Sequence, residues 1–236
     1  MADYGRIERL LIERLGLERR PVGIAFPEAV PEGVPKFTGS EPAGCGFWRL
    51  AAGGQVFYTV PSDHYNCPIG SYTHNIPLPA DRQPELGQTL EFMTGIGYLR
   101  MEEVPGIPRL PRSPDFVLYA PLGKMPMDPE VVLVSGKPLS MMLLQEAVMR
   151  SGFIGGLPML ARPTCMAVPA AKAGSLVAGT GCIGNRVYTG VGDDELYVAV
   201  PGKDIARVSD EFDTIATANE KLMEYHQARV ASLRAE

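Results

Sequence analysis

Set against itself with an offset of 120, the chain lays cysteine on cysteine. Cys45-Gly-Phe-Trp-Arg-Leu-Ala51-Ala-Gly-Gly54 falls on Cys165-Met-Ala-Val-Pro-Ala-Ala171-Lys-Ala-Gly174, and both read Cys, Ala at +6 and Gly at +9. Further on, Cys67-Pro-Ile69-Gly70-Ser-Tyr72-Thr73 resembles Cys182-Ile183-Gly184-Asn-Arg-Val-Tyr188-Thr189, with one residue of slippage on each side of the Ile-Gly pair. Self-similarity of this kind marks a repeated supersecondary unit whose two copies pack about a pseudo-twofold axis. It predicts two duplicated halves, approximately residues 21–110 and 129–208, each supplying two cysteines. No Ser-, Gly- or charge-rich tract long enough to be a flexible linker divides the 236 residues, so a single domain over 1–236 is expected.

Local patterns fill in the halves. Ile7, Leu10, Leu11 and Leu15 recur at helical spacing and predict a helix over about residues 4–17 that ends near Gly16. Pro21–Phe26, Gln55–Val60, Phe116–Tyr119, Val131–Val134 and Glu195–Val200 read as strands. Leu139–Arg150 is apolar nearly all round and reads as a buried helix. A last helix is expected with Ser209 as its cap and Phe212, Ile215, Leu222, Met223 and Leu233 as its apolar stripe, His226 in register as a packed core residue. Pro- and Gly-rich residues 27–42, 61–90 and 105–130 read as structured loops. The class is α/β or α+β, with N- and C-terminal helices around the two halves.

A net charge of −5 with scattered Lys and Arg offers no basic stripe for phosphates, which argues against nucleic acid and against an anionic membrane surface. No stretch reaches the ~18 apolar residues of a membrane span. Met1-Ala2-Asp3-Tyr4-Gly5-Arg6 runs straight into the helical pattern without a secretory h-region, so a cytoplasmic protein is expected. In that reducing setting four cysteines stay free, buried or metal-bound rather than paired.

Four thiolates complete the coordination of a [4Fe–4S] cube or of a tetrahedral zinc, and two symmetric pairs of thiols converge naturally on one point. Cys45, Cys67, Cys165 and Cys182 are therefore the candidate metal ligands, although no compact Cys-x-x-Cys is present. Packed thiols acting as small hydrophobes, with no metal, are the plain alternative. A reactive thiol is another, with Gly181-Cys182-Ile183-Gly184 as its place. His64 and His74 flank Cys67 and are further candidates as ligand, proton donor or thiol-activating base. Arg49 and Arg186 each follow a cysteine by four residues and are expected to face one cavity and hold a small anionic molecule. Gly53-Gly54 and Gly155-Gly156 fit neither a phosphate loop nor a dinucleotide fingerprint.

Arg20-Pro21-Val22-Gly23-Ile24, the Cys45 to Gly54 segment, Ala120-Pro121-Leu122, Glu130-Val131-Val132-Leu133, Cys165 and Gly181-Cys182-Ile183-Gly184-Asn185-Arg186 together resemble the prokaryotic domain-of-unknown-function 169 family over about residues 20–208. The resemblance implies an uncharacterised protein of a kind common in anaerobes and archaea, with the cysteine positions and the Gly-Cys-x-Gly-x-Arg turn as family features. It implies no activity, and whether the chain is an enzyme stays open. Taken together, the expectation is an iron–sulfur protein for redox or small-anion chemistry. The alternatives are a metal-free small-molecule binding protein and a thiol-dependent enzyme with His64 as base. The oligomeric state is open, a homo-oligomer included.

Overall fold

The computed structural model describes residues 2–153, 158–160 and 162–234, which leaves Gly155-Gly156 outside. Helices α1 (Tyr4–Leu15), α2 (Gly44–Ala52), α3 (Pro68–Thr73), α4 (Pro84–Gly95), α5 (Pro138–Arg150), α6 (Ala167–Lys172), α7 (Ile183–Thr189) and α8 (Ile205–Arg234) surround one sheet. Its strands are β1 (Val22–Ala25), β2 (Phe57–Thr59), β3 (Val117–Pro121), β4 (Val131–Gly136), β5 (Met159–Leu160), β6 (Val177–Gly179) and β7 (Leu196–Pro201). They lie in the order β2-β3-β1-β4-β7-β6-β5, antiparallel throughout except for the β5–β6 pair. This is a mixed α/β architecture, as the sequence predicts.

The strands are apolar on both faces because both faces are covered. Along β4 and β7, Val132, Val134, Val198 and Val200 join the cluster formed with Leu11 of α1, Leu144 of α5 and Phe212 of α8. The alternate residues Val131, Leu133, Tyr197 and Ala199 pack instead with Phe47 and Trp48 of α2 and the alanines of α6. A two-residue period thus feeds two cores, each fully buried aliphatic side chain contributing about 1.5–3 kcal/mol. α1 is held at both ends: the Asp3 carboxylate accepts from Arg6 N at 2.9 Å, and Gly16 closes the helix at φ 60°.

Several expectations are corrected. Residues 61–90 are largely helical, containing a 3-10 turn at Pro61–His64, α3 and the start of α4. α8 begins at Ile205 and not at Ser209, which is buried one turn inside the helix with no partner for its hydroxyl among the described residues. Its apolar stripe is buried only as far as Ala216. Leu222, Met223 and Leu233 are exposed, and His226 stands in solvent beside Tyr225 rather than in a core. α5 is half exposed, with Leu139, Met142 and Met149 on its outer side. Among the described residues no helix is long and apolar enough to cross a membrane.

Candidate functional site

The four cysteines come from four separate chain turns. Cys45 lies in the first turn of α2, which Phe47 and Trp48 fasten to the sheet through Tyr119 (ring centroids 5.5 Å) and Tyr197 (5.8 Å). Cys67 caps α3, its sulfur accepting from Gly70 N at 3.3 Å. Cys165 sits in the 3-10 turn Thr164–Met166 that leads into α6. Cys182 caps α7, its sulfur accepting from Asn185 N at 3.5 Å. The backbone N–H of Cys182 donates to Thr164 Oγ1, tying the Cys165 turn to the Cys182 turn. Gly181 takes φ 78° to make that corner, and a Cβ there would press on Asn185 Oδ1 at 3.0 Å.

All four cysteines line one cavity of about 630 Å³. Each of the six possible pairs of thiols is close enough for one sulfur's charge to raise the pKa of another. Burial is the larger cause. It pushes Cys45 up to about 12, with Cys67 and Cys182 adding to the rise and a contact with Asn185 working against it. Cys67 is raised by burial and then by Cys182, against the pull of Gly70 N. Cys165 is raised well above the usual thiol range by burial and then by Cys67. A low-dielectric floor carrying several sulfurs keeps them protonated unless a cation compensates the charge. Among the described residues no three His, Cys, Asp or Glu side chains are placed to hold a single metal ion.

The two histidines do not line this cavity. His64 and His74 are buried and stacked on each other with ring centroids 5.7 Å apart. His64 Nε2 bonds Thr59 Oγ1 at 2.8 Å, and its ring packs on Phe47 and under Gly44. His74 Nδ1 lies 3.1 Å from the Gly70 carbonyl, so Nδ1 carries the proton, and its Nε2 has no partner among the described residues. Desolvation first, and the neighbouring His74 second, hold His64 at about 3; desolvation holds His74 at about 4 despite the Gly70 carbonyl. Both rings are neutral struts behind the Cys45 and Cys67 turns. A base role for His64 has neither the position nor the basicity it needs.

The arginines differ from expectation too. Arg49 bonds Glu41 at 3.3 Å at the surface, and Arg186 is spent on the carbonyls of Gly192 and Thr180. Neither lines the cavity. Two polar residues that the sequence reading passed over do: Arg162, three residues before Cys165, and Asn185, three after Cys182. The Arg162 guanidinium lies 4.8 Å from the centre of the Tyr98 ring and donates to Glu103 at 3.2 Å. The rest of the wall is mainly apolar and includes Leu86, Leu90 and Met93 of α4, with Ile96, Leu99, Val104 and Ile107 beyond it.

Comparison with known proteins matches residues 10–211 to a family described as uncharacterised ArCR. The uncharacterized protein MJ0308 of Methanocaldococcus jannaschii is 25% identical over 224 residues, covering 88% of this chain and 94% of the relative. No solved structure matches the chain.

Proposed function

This chain belongs to the domain-of-unknown-function 169 family, and we propose that it binds an iron–sulfur cluster through Cys45, Cys67, Cys165 and Cys182. One observation carries the reading: four thiols from four separate turns, two early and two late in the chain, all line a single mainly apolar cavity, every pair of them within electrostatic reach. In a [4Fe–4S] cube each thiolate binds a different iron, so the sulfurs stay apart by the width of the cube. A lone zinc would draw all four to about 2.3 Å from one point. The four sulfurs share one cavity, and iron against zinc content of the purified protein distinguishes the two centres. Gly70 N and Asn185 N, already directed at Cys67 and Cys182, are hydrogen bonds of the kind that tune a cluster's potential.

The reading includes a single domain over 1–236 with two related halves. The sheet order supports the halves. Taking β1 with β4, β3 with β7 and β2 with β6, the order is the same read outward from the central antiparallel β1–β4 pair. In each half a cysteine-bearing helix start precedes the outer strand, and a cysteine cap follows it. Pro121 and Pro201 then lead into matching 3-10 turns, whose first N–H bonds Pro21 O and Glu130 O, so the first half extends to about residue 124. A cytoplasmic, reducing location belongs to the same reading, because it keeps thiols available for iron.

A thiol enzyme that uses Cys45, Cys67 or Cys165 fits less well, since these three are raised and no basic imidazole reaches them. Single Cys→Ser variants, prepared without oxygen, test the proposal. Each of the four is expected to lower bound iron and labile sulfide together, and to destabilise the fold in the same direction. Four small, independent stability effects with unchanged metal content would reject the shared site in favour of packed thiols in a metal-free binding protein.

A further inference from the structure

The sulfur floor leaves most of the cavity wall unexplained. α4 buries no residue, yet Leu86, Leu90 and Met93 recur along it at helical spacing and face the cavity instead of a core. Leu99, Val104 and Ile107 oppose them as further apolar wall, with Ile183 and Tyr188 of α7. A volume of about 630 Å³ is that of a small-molecule site.

Two polar side chains of this mainly apolar lining keep buried atoms that make no hydrogen bond among the described residues. Asn185 is only 2% exposed, and neither its Oδ1 nor its Nδ2 has a hydrogen-bond partner among the described residues. Arg162 has one guanidinium nitrogen on Glu103 and its plane over Tyr98, while its Nε is buried and unpaired among the described residues. A buried polar group without a partner is costly, and a protein that retains two in one cavity is built for something that satisfies them. Nε and Nδ2 are both donors, one of them on a permanent cation. A negatively charged acceptor matches these two donors. Apolar walls on the remaining sides exclude phosphates and sugars, which would bring many unsatisfied oxygens.

We infer that the cavity binds a small monocarboxylic acid with an apolar body, its carboxylate on Arg162 and Asn185 and its hydrocarbon part against α4. This goes beyond the cluster assignment and does not depend on it.

Calorimetric titration of the full chain with octanoate tests the site, with octanol and acetate as probes lacking the charge and the apolar body. Saturable octanoate binding is expected, with octanol and acetate each about tenfold weaker or more. Arg162→Leu should weaken octanoate about tenfold or more and leave octanol unchanged. Leu90→Asp, on a helix that buries nothing, should weaken octanoate comparably and supplies the test if the Arg162 variant does not fold. Absence of octanoate binding, equal affinity for octanol, or indifference to both substitutions would overturn the proposal. Iron measured on the same samples separates the two readings. Octanoate binding that persists in an iron-free Cys45→Ser protein leaves this site standing while the cluster assignment is judged apart, and a loaded cluster with no octanoate binding rejects this site alone.

Discussion

A buried thiol and a buried imidazole respond to pH in opposite directions, and this protein holds both kinds close together. His64 and His74 are depressed from the ordinary 6.5 to about 3 and about 4. In the unfolded chain they protonate near 6.5, so below that value the unfolded state binds more protons and folding stability falls as the pH drops. Cys45 is raised from the ordinary 9.0 to about 12, and Cys67 and Cys165 are raised with it. Above 9 the unfolded thiols lose protons that the folded ones retain, and stability falls as the pH rises. Metal-free protein should therefore be most stable between about pH 6.5 and 9, each shifted group contributing a slope of at most about 1.4 kcal/mol per pH unit outside that window. Denaturant midpoints measured from pH 4 to 10 check this. A flat midpoint between 6.5 and 4 would mean that the histidines are not buried as described.

At this scale the sequence was partly legible. The cysteines are readable because a thiol's chemistry belongs to the residue itself, and Gly181 because a glycine beside a cysteine exposes the backbone. Arg49 and Arg186 stand near cysteines in sequence, but neither lines the cavity, and each is held by other acceptors. Asn185 and Arg162 gain their meaning only from packing, since an asparagine inside α7 or an arginine before a proline is unremarkable until its partners are seen to be missing.

Among the elements, the strands were legible wherever an apolar run exceeded three or four residues, as in β1, β3, β4 and β7. The short helices were not. α2 follows Ala43, which makes no side-chain cap bond; α3 and α7 are capped by cysteine sulfur, outside the usual Ser, Thr, Asp and Asn signals. α4 starts at Pro84 within a Pro-rich stretch that reads as loop. The turn after β7 is where backbone packing is tightest. A Cβ on Gly202 would lie 1.7 Å from the Pro129 carbonyl oxygen, backbone against backbone, with no flexible side chain to yield. Gly202→Ala should cost roughly 2 kcal/mol or more, read as a lowered denaturation midpoint. The same change at Gly87 on α4, where a Cβ meets nothing within 4 Å, should be neutral or slightly stabilising. Equal effects at the two positions would show that the β7 turn is looser than described.

For the molecule as a whole, the matched spacing of the cysteines anticipated that all four line one cavity. It did not reveal what surrounds them, because the cavity wall is drawn from α3, α4, α7 and the turn at Met101–Gly106, which share no local pattern. The central claim is that these elements enclose a metal cluster. Its most direct test is quantification of iron and acid-labile sulfide in protein purified without oxygen. The account predicts brown protein with iron and sulfide in equal amounts, about four of each per chain as a [4Fe–4S] cube requires. Well-folded, colourless protein that contains neither, even after incubation with ferrous iron and sulfide under reducing conditions, would contradict it.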